Sequence, residues 1–493
     1  MVQVSSNTIF GRSCVGSCGG NNNRATCRID ADFCASSDGY ASKGARRQAQ
    51  PKIFRKVARL AHSVRFWTTA VRWHSLPRLL SGAFSIAVSF LSLGALHAAD
   101  WPQFLGPSRN SVYAGTDLAK SWPKEGPPVL WQKSVGQGFS GPAVSRGKLI
   151  LFHRLENEEI VECLEGTTGK SVWKFGYPTA YRDDFGFDEG PRATPSISNG
   201  KVYTHGAEGM ITCVDFETGR KLWSVDTRKD FHSAKGFFGI ACSPLIEGQA
   251  VLLNIGGSDG AGIIGFDKDT GKVLWKATDD EASYSSPVAA KFGERRFALF
   301  LTKANLRVVD PASGKIAFTF PFRPSIRASV TAATPLVVDD FIFISASYGA
   351  GSALLELKET GLQKIWAAAD ALSNHYATSV YHGGFLYGIH GRTDPGFEPS
   401  ASLRCVEFKT GKVRWEKDGF GAATITLAGD ELLILTERGE LIRAPASPDG
   451  YKPAAQAQVL PNQVRAHPAL ADGLLFARSK DKLFCLDLRD AGK

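Results

Sequence analysis

The chain has 493 residues, with 58 Lys and Arg against 48 Asp and Glu, a formal charge of +10. Residues 1–99 hold 13 of the basic and 3 of the acidic side chains, which leaves 45 of each sign among the other 394. A body without net charge excludes the general polyanion footprint of a nucleic-acid-binding protein, and 43% hydrophobic with 11% aromatic residues excludes a disordered chain.

Residues 1–78 are polar, basic and rich in Gly, Asn and Ser, and read as a disordered leader or an over-called start. Cys14, Cys18, Cys27 and Cys34 lack the paired close spacing of a zinc knuckle. No Met lies between Met1 and Met210, so a start nearer the body would use a non-AUG codon; Val71 would leave VRWHSLPR as a short charged region. Residues 79–99, LLSGAFSIAVSFLSLGALHAA, contain no charge, follow Arg72 and Arg78, and end on Ala98 and Ala99. This is the order of a signal peptide: charged region, apolar run, small-residue cleavage zone. The expectation is export to the periplasm or outside the cell, with no stable membrane anchor after cleavage. No Cys follows the run, which argues against a lipid anchor.

Residues 100–128 form an opening segment, and from residue 129 to 490 the chain repeats with a period of 43–52 residues. The clearest unit is a Thr-Gly-Lys turn followed by Trp: Thr168 to Trp173, Thr218 to Trp223, Thr270 to Trp275 and Thr410 to Trp415. Ser313 leads to Phe318 instead, and Thr360 leads to Trp366 with one extra residue. Glu165, Asp215, Asp267, Asp310 and Glu407 stand three residues before the turn in five of these six copies. Upstream of each turn, stretches such as TPSISNGKVYTHG read as strand, turn, strand, and MITCVDF or LRCVEF as a third strand. Glycine at the turn supplies φ > 0 and the acidic side chain bonds local amides; a fourth strand carries the Trp.

One such sheet cannot bury both faces, and stacking the repeats radially covers them, with Trp as a wedge between neighbours. VLWQKSV around Trp131 is a fourth strand with no first three before it, while VRAHPALADGLLFARSKDKLFCLDL offers three strands with no fourth. Residues 421–455 supply a weak unit without its Trp. The predicted fold is therefore all-β: a single eight-bladed β-propeller, closed by an N-terminal strand that completes the last blade. It is expected to be a monomer. Cys163, Cys213, Cys405 and Cys485 recur at one repeat position and, with Cys242, read as buried small hydrophobes rather than disulfides.

The acidic-x-x-Thr-Gly-Lys-x-x-Trp unit resembles the repeat of the pyrroloquinoline quinone (PQQ) propeller family over residues 129–490. Asp100-Trp101-Pro102-Gln103-Phe104, with Gly106 and Ser111, is similar to the opening of its alcohol dehydrogenases and polyvinyl-alcohol-dehydrogenase-like members. The family also includes the lipoprotein subunit of the outer-membrane β-barrel assembly machinery, which uses the propeller without a cofactor. The dehydrogenase branch implies PQQ with Ca²⁺, a vicinal disulfide against the quinone, and a Glu, Asn and Asp set around the metal. This chain has no adjacent cysteines, no C-x-x-C-H haem motif and no such acidic set.

The loops before the inner strands of a propeller line one mouth of its channel. Here they carry Arg192, Tyr284, Arg327, His375, Tyr376, Arg465 and His467, with Asp188, Glu189, His232, Lys235 and Asn374 nearby. Cations with aromatic rings suit a small anionic or planar ligand. The seven residues are the expected binding set, with no metal ligand among them. Asp183-Asp184 and Asp279-Asp280 read as solvated loop carboxylates, and Gly256-Gly257-Ser258-Asp259-Gly260 as a turn. The functional expectation is an exported scaffold that binds such a ligand or an envelope protein at the mouth and needs no cofactor. The alternative is a PQQ- and Ca²⁺-dependent alcohol dehydrogenase with a diverged site.

Overall fold

The computed structural model describes residues 100–326, 329–394 and 401–490. The leader, 1–78, and the apolar run, 79–99, lie outside the described residues, as does Arg327.

Every copy of the repeat folds into one four-stranded antiparallel sheet, and eight sheets are formed. Blade 1 runs through Ala143–Ser145, Lys148–Leu155, Glu158–Glu165 and Ser171–Pro178. Blade 2 follows from Ser196 to Asp226, blade 3 from Leu245 to Ala277, blade 4 from Val288 to Pro321, blade 5 from Leu336 to Ala368, and blade 6 from Val380 to Lys417. Blade 7 spans Ala423 to Gln458, so the unit without a Trp is a full blade. Blade 8 takes Ala469–Ala471, Leu474–Arg478 and Lys482–Asp487 from the C-terminal end. Its fourth strand is Val129–Ser134, antiparallel to Lys482–Asp487 with Trp131 opposite Cys485. The expected closure is what the chain makes.

The repeat residues interlock between blades rather than within them. The indole N–H of Trp173 donates to the Phe216 carbonyl of blade 2 at 3.0 Å, and that of Trp223 to the Lys268 carbonyl of blade 3 at 3.1 Å. Trp131, Trp275, Trp366 and Trp415 reach the next blade in the same way. Each indole lies on the turn it reaches. A Cβ built on Gly219 would stand 2.5 Å from Trp173, and one on Gly271 2.7 Å from Trp223. These glycines have φ of +71° and +72°, so the turn excludes a side chain twice, by backbone and by contact. Asp215 Oδ1 accepts from the amides of Glu217 and Thr218 and from the Thr218 hydroxyl, and Asp267 repeats this. Cys163, Cys213, Cys405 and Cys485 each pair across the strands with their blade's Trp. All five described cysteines are free and buried.

A second girdle runs around the axis at the residue four places before the inner hairpin. There the Gly141 amide donates to Thr194 Oγ1, Thr194 to Ser243 Oγ, and Ser243 to Ser286 Oγ. Thr334 donates to Thr378 Oγ1 at 3.0 Å. A Ser or Thr at this position, followed by Pro in three of the four cases, thus joins each of these blades to the one before.

The opening segment runs through the channel. Trp101 pairs with Val144 of blade 1, the Ile197 amide of blade 2 donates to the Pro102 carbonyl, and Val112–Tyr113 adds a parallel strand to the inner edge of blade 7. Arg109 is 1% exposed. It donates to Gln103 Oε1 (2.9 Å), to the carbonyls of Pro287 (2.8 Å), Ser243 (3.3 Å) and Pro244, and to Ser196 Oγ. One guanidinium thereby ties the inner strands of blades 2, 3 and 4 together. Burial lowers its pKa to about 10, so it stays charged at neutral pH.

Candidate functional site

The loops ahead of the inner strands converge on a recess of about 210 Å³. Arg192, Tyr284, His375, Tyr376, Arg465 and His467 all line it. The structure brings six of the seven expected residues together, from four different inter-blade connections. All lie just before an inner strand, where the repeat forces the chain inward.

Their polar atoms are nonetheless largely committed. Arg192 donates to the carbonyls of Gly190 (2.6 Å) and Asp188 (2.8 Å) and stands 3.5 Å from Asp183. Arg465 donates through Nε to Glu437 at 2.6 Å, and its guanidinium lies over the rings of Phe139 and Phe187. Tyr284 accepts from the amides of Phe237 and Phe238 and so fixes that loop. His467 lies 3.0 Å from both the Pro468 carbonyl and Ser111 Oγ, with Trp101 stacked on it. His375 Nε2 is 3.1 Å from the Tyr348 hydroxyl and its Nδ1 is 2.6 Å from Thr393 Oγ1. Burial pushes both histidines down to about 4, so each is neutral at neutral pH.

Two hydroxyls on the wall are different. Tyr376 and Thr424 both line the recess, and their hydroxyls are buried with no hydrogen-bond partner among the described residues. Thr424 occupies the girdle position of blade 7, where Thr194, Ser243 and Thr378 accept an amide from the preceding blade. At this seam, as at Thr334 in blade 5, that bond is not made.

Sequence reading missed several residues. Phe104 comes from the channel segment, Phe187 and Phe238 from the blade 1–2 and blade 2–3 connections, and Asp394 from within blade 6. Phe185, Phe187, Phe238 and Tyr284 form a chain of ring contacts 5.1–6.1 Å apart. The signal was present as Phe clusters in connections, DDFGFDEG and KGFFG, where turns need no aromatic residue. Asp394 is held by Arg392 at 2.6 Å. Two loop carboxylates correct the expectation of solvation. Asp183 is buried and accepts from the amides of Phe185, Phe187 and Asp188, which folds the loop that presents Phe187. Asp280 is held by Arg307, Thr302, Thr278 and Asn305, and its pKa is lowered because these bonds outweigh the desolvation that would raise it. Asn374 is structural, bonded to Ile389 and Ser379. The glycine run 256–260 lies in the connection between the middle strands of blade 3, as expected.

The family model described as outer membrane protein assembly factor BamB matches residues 157–417. Among solved structures, BamB from Moraxella catarrhalis superposes with a TM-score of 0.53 at 16% identity, covering 73% of this chain and 96% of its own. Quinohemoprotein alcohol dehydrogenase from Comamonas testosteroni superposes with a TM-score of 0.58 at 14% identity, covering 80% and 81%. At such identities the likeness shows the fold alone. A curated relative, quinohemoprotein alcohol dehydrogenase ADH-IIG of Pseudomonas putida, is 31% identical over 124 residues, which is 24% of this chain. The chain spans about a sixth of that relative's length, 16%. The chain belongs to the PQQ-like repeat propeller family.

Proposed function

We propose that the protein is an exported binding propeller that holds a small planar ligand in the mouth recess without chemical change. The observation that carries this reading is the recess itself, an aromatic wall containing two buried hydroxyls without partners. Such groups are costly when unmet, and an apolar hollow with a few convergent polar groups is the usual form of a ligand site. Export is supported by the apolar run at 79–99; no helix of the described residues is long and apolar enough to cross a membrane. The exposed rings of Phe185 and Phe237 beside the recess give an envelope protein an apolar surface to rest on, the assembly role that the name BamB describes for the matched family.

The second reading is quinone-linked alcohol oxidation, favoured by the 124-residue match to the P. putida enzyme. The residues present do not fit a calcium-bound quinone. No group of three His, Cys, Asp or Glu is placed to hold a metal among the described residues. Asp394 is the one carboxylate lining the recess among them, and Arg392 holds it. None of the five described cysteines lines it. Equilibrium dialysis of purified protein with single-ring aromatic compounds, and separately with PQQ and Ca²⁺ plus an alcohol and a dye acceptor, tests the two readings. Saturable ring binding that Phe238→Ala weakens supports a binding propeller. Dye reduction dependent on PQQ and alcohol would overturn it.

A further inference from the structure

We propose that the recess takes an uncharged, single-ring, phenol-like molecule and is not built for a polycarboxylate quinone; this rests on reading the recess as a ligand site. Size is the first argument. An apolar cavity of about 150 Å³ accepts benzene, and pockets for drug-sized ligands begin at roughly 300 Å³. At about 210 Å³ the recess has room for one substituted ring between its walls.

Charge is the second argument. Arg192 and Arg465 face the recess already matched by Asp183 and Glu437, and Asp394 is matched by Arg392. These six groups sum to zero. A carboxylate entering here would lose its hydration without meeting an unmatched cation, and a tricarboxylate would do so three times. The charge pairs position the loops; they do not offer charge to a ligand.

The third argument is the placement of hydrogen-bonding capacity. The open valences belong to neutral hydroxyls, Tyr376 OH and Thr424 Oγ1. Each can donate to a carbonyl or accept from a hydroxyl. Around them stand rings that favour offset or edge contacts with a flat apolar body, Phe238 and Tyr284 lying 6.0 Å apart at 53°. A ring with one polar substituent satisfies the hydroxyls and the rings together.

The test is calorimetric titration of the full chain with four probes: 4-methylphenol, toluene, 4-methylbenzoate, and PQQ with Ca²⁺. The expected result is that 4-methylphenol binds at least tenfold more tightly than toluene and than 4-methylbenzoate. Thr424→Val and Tyr376→Phe should each remove most of the phenol's advantage over toluene, and neither should lower the thermal midpoint, since each removes an unmet buried hydroxyl. Tighter binding of 4-methylbenzoate or PQQ would overturn the inference and leave the recess standing as a ligand site. An unchanged phenol preference in both variants would also overturn it. No binding of any probe would remove both this inference and the reading beneath it.

Discussion

Ser111 Oγ stands 3.0 Å from His467 Nε2 and donates to the Ile425 carbonyl at 2.5 Å, so the opening segment is fastened to blades 7 and 8 after crossing the channel. His467 fills the position that a Ser or Thr holds in the seams of blades 2 to 6. The imidazole is longer than a hydroxyl and reaches the segment instead of a neighbouring amide. The backbone there is strained, with φ of +60°, +52° and +58° at Leu105, Arg109 and Ser111, a region that non-glycine residues occupy at a cost. Ser111→Ala keeps that strain and removes the side-chain bond. It should destabilise the protein by about 1–3 kcal/mol, read as a lower denaturation midpoint. An unchanged midpoint would show that the segment is held elsewhere.

Arg109 is the stronger tie. Its loss takes the guanidinium donor from the carbonyls of Ser243 and Pro287 at the axis and leaves Pro244 with Ser196 Oγ alone. Leaving a buried carbonyl without its donor typically costs about 1–3 kcal/mol, so the loss of two such bonds reaches several kcal/mol. Arg109→Met fills the volume but donates nothing, and is expected to lower stability by that order while also displacing Phe104, five residues away on the recess wall. Ring binding should weaken more than tenfold. If stability falls and binding is untouched, the channel segment does not shape the recess.

The turn glycines permit a controlled comparison. Gly200 and Gly271 share φ of +72°. A Cβ on Gly200 meets nothing within 4 Å, whereas one on Gly271 would meet Trp223 at 2.7 Å. Gly200→Ala should cost about 1 kcal/mol from backbone conformation alone. Gly271→Ala adds displacement of an indole from its seat and the bond to Lys268, for a total of roughly 3 kcal/mol. Urea unfolding of both variants reads the difference. Equal losses would mean that the Trp–Gly contact contributes nothing.

Local and repeated features were legible in the sequence, and distant single contacts were not. The Thr-Gly-Trp units, the acidic turn residue, the cysteine opposite each Trp and the closure around Trp131 each recur or complete a count, so the spacing alone exposes them. Six of the expected residues line one recess because the repeat puts the residues before the inner strand at the axis. The partners of those residues were not legible. Arg465 meets Glu437 across 28 positions and Arg109 meets Pro287 across 178, and no periodicity links such pairs. That is why the mouth reads as cationic in sequence and is matched in charge in the folded chain. The missing bond at Thr424 leaves no trace either, since the residue type is the same as at seams where the bond is made.

Acid sensitivity follows from histidines that are buried and uncharged. His205, His375 and His467 are each pushed down to about 4 by burial, against about 6.5 in an unfolded chain. A lowered folded value means the unfolded state takes up protons first as pH falls. The stability tied to each group is therefore fully present above about pH 6.5 and is lost progressively toward pH 4, by about 3 kcal/mol per histidine at the lower limit. His205 is the cleanest reporter, since it lies away from the recess: its Nδ1 meets the Cys242 carbonyl at 3.1 Å and its Nε2 has no partner among the described residues. His205→Gln keeps a side-chain donor for that carbonyl and cannot titrate. Urea midpoints measured from pH 7 to pH 4 should fall steeply for the native chain and less steeply for this variant, the gap closing above pH 6.5 apart from a constant packing loss. Parallel curves across the whole range would show that His205 titrates normally in the folded protein.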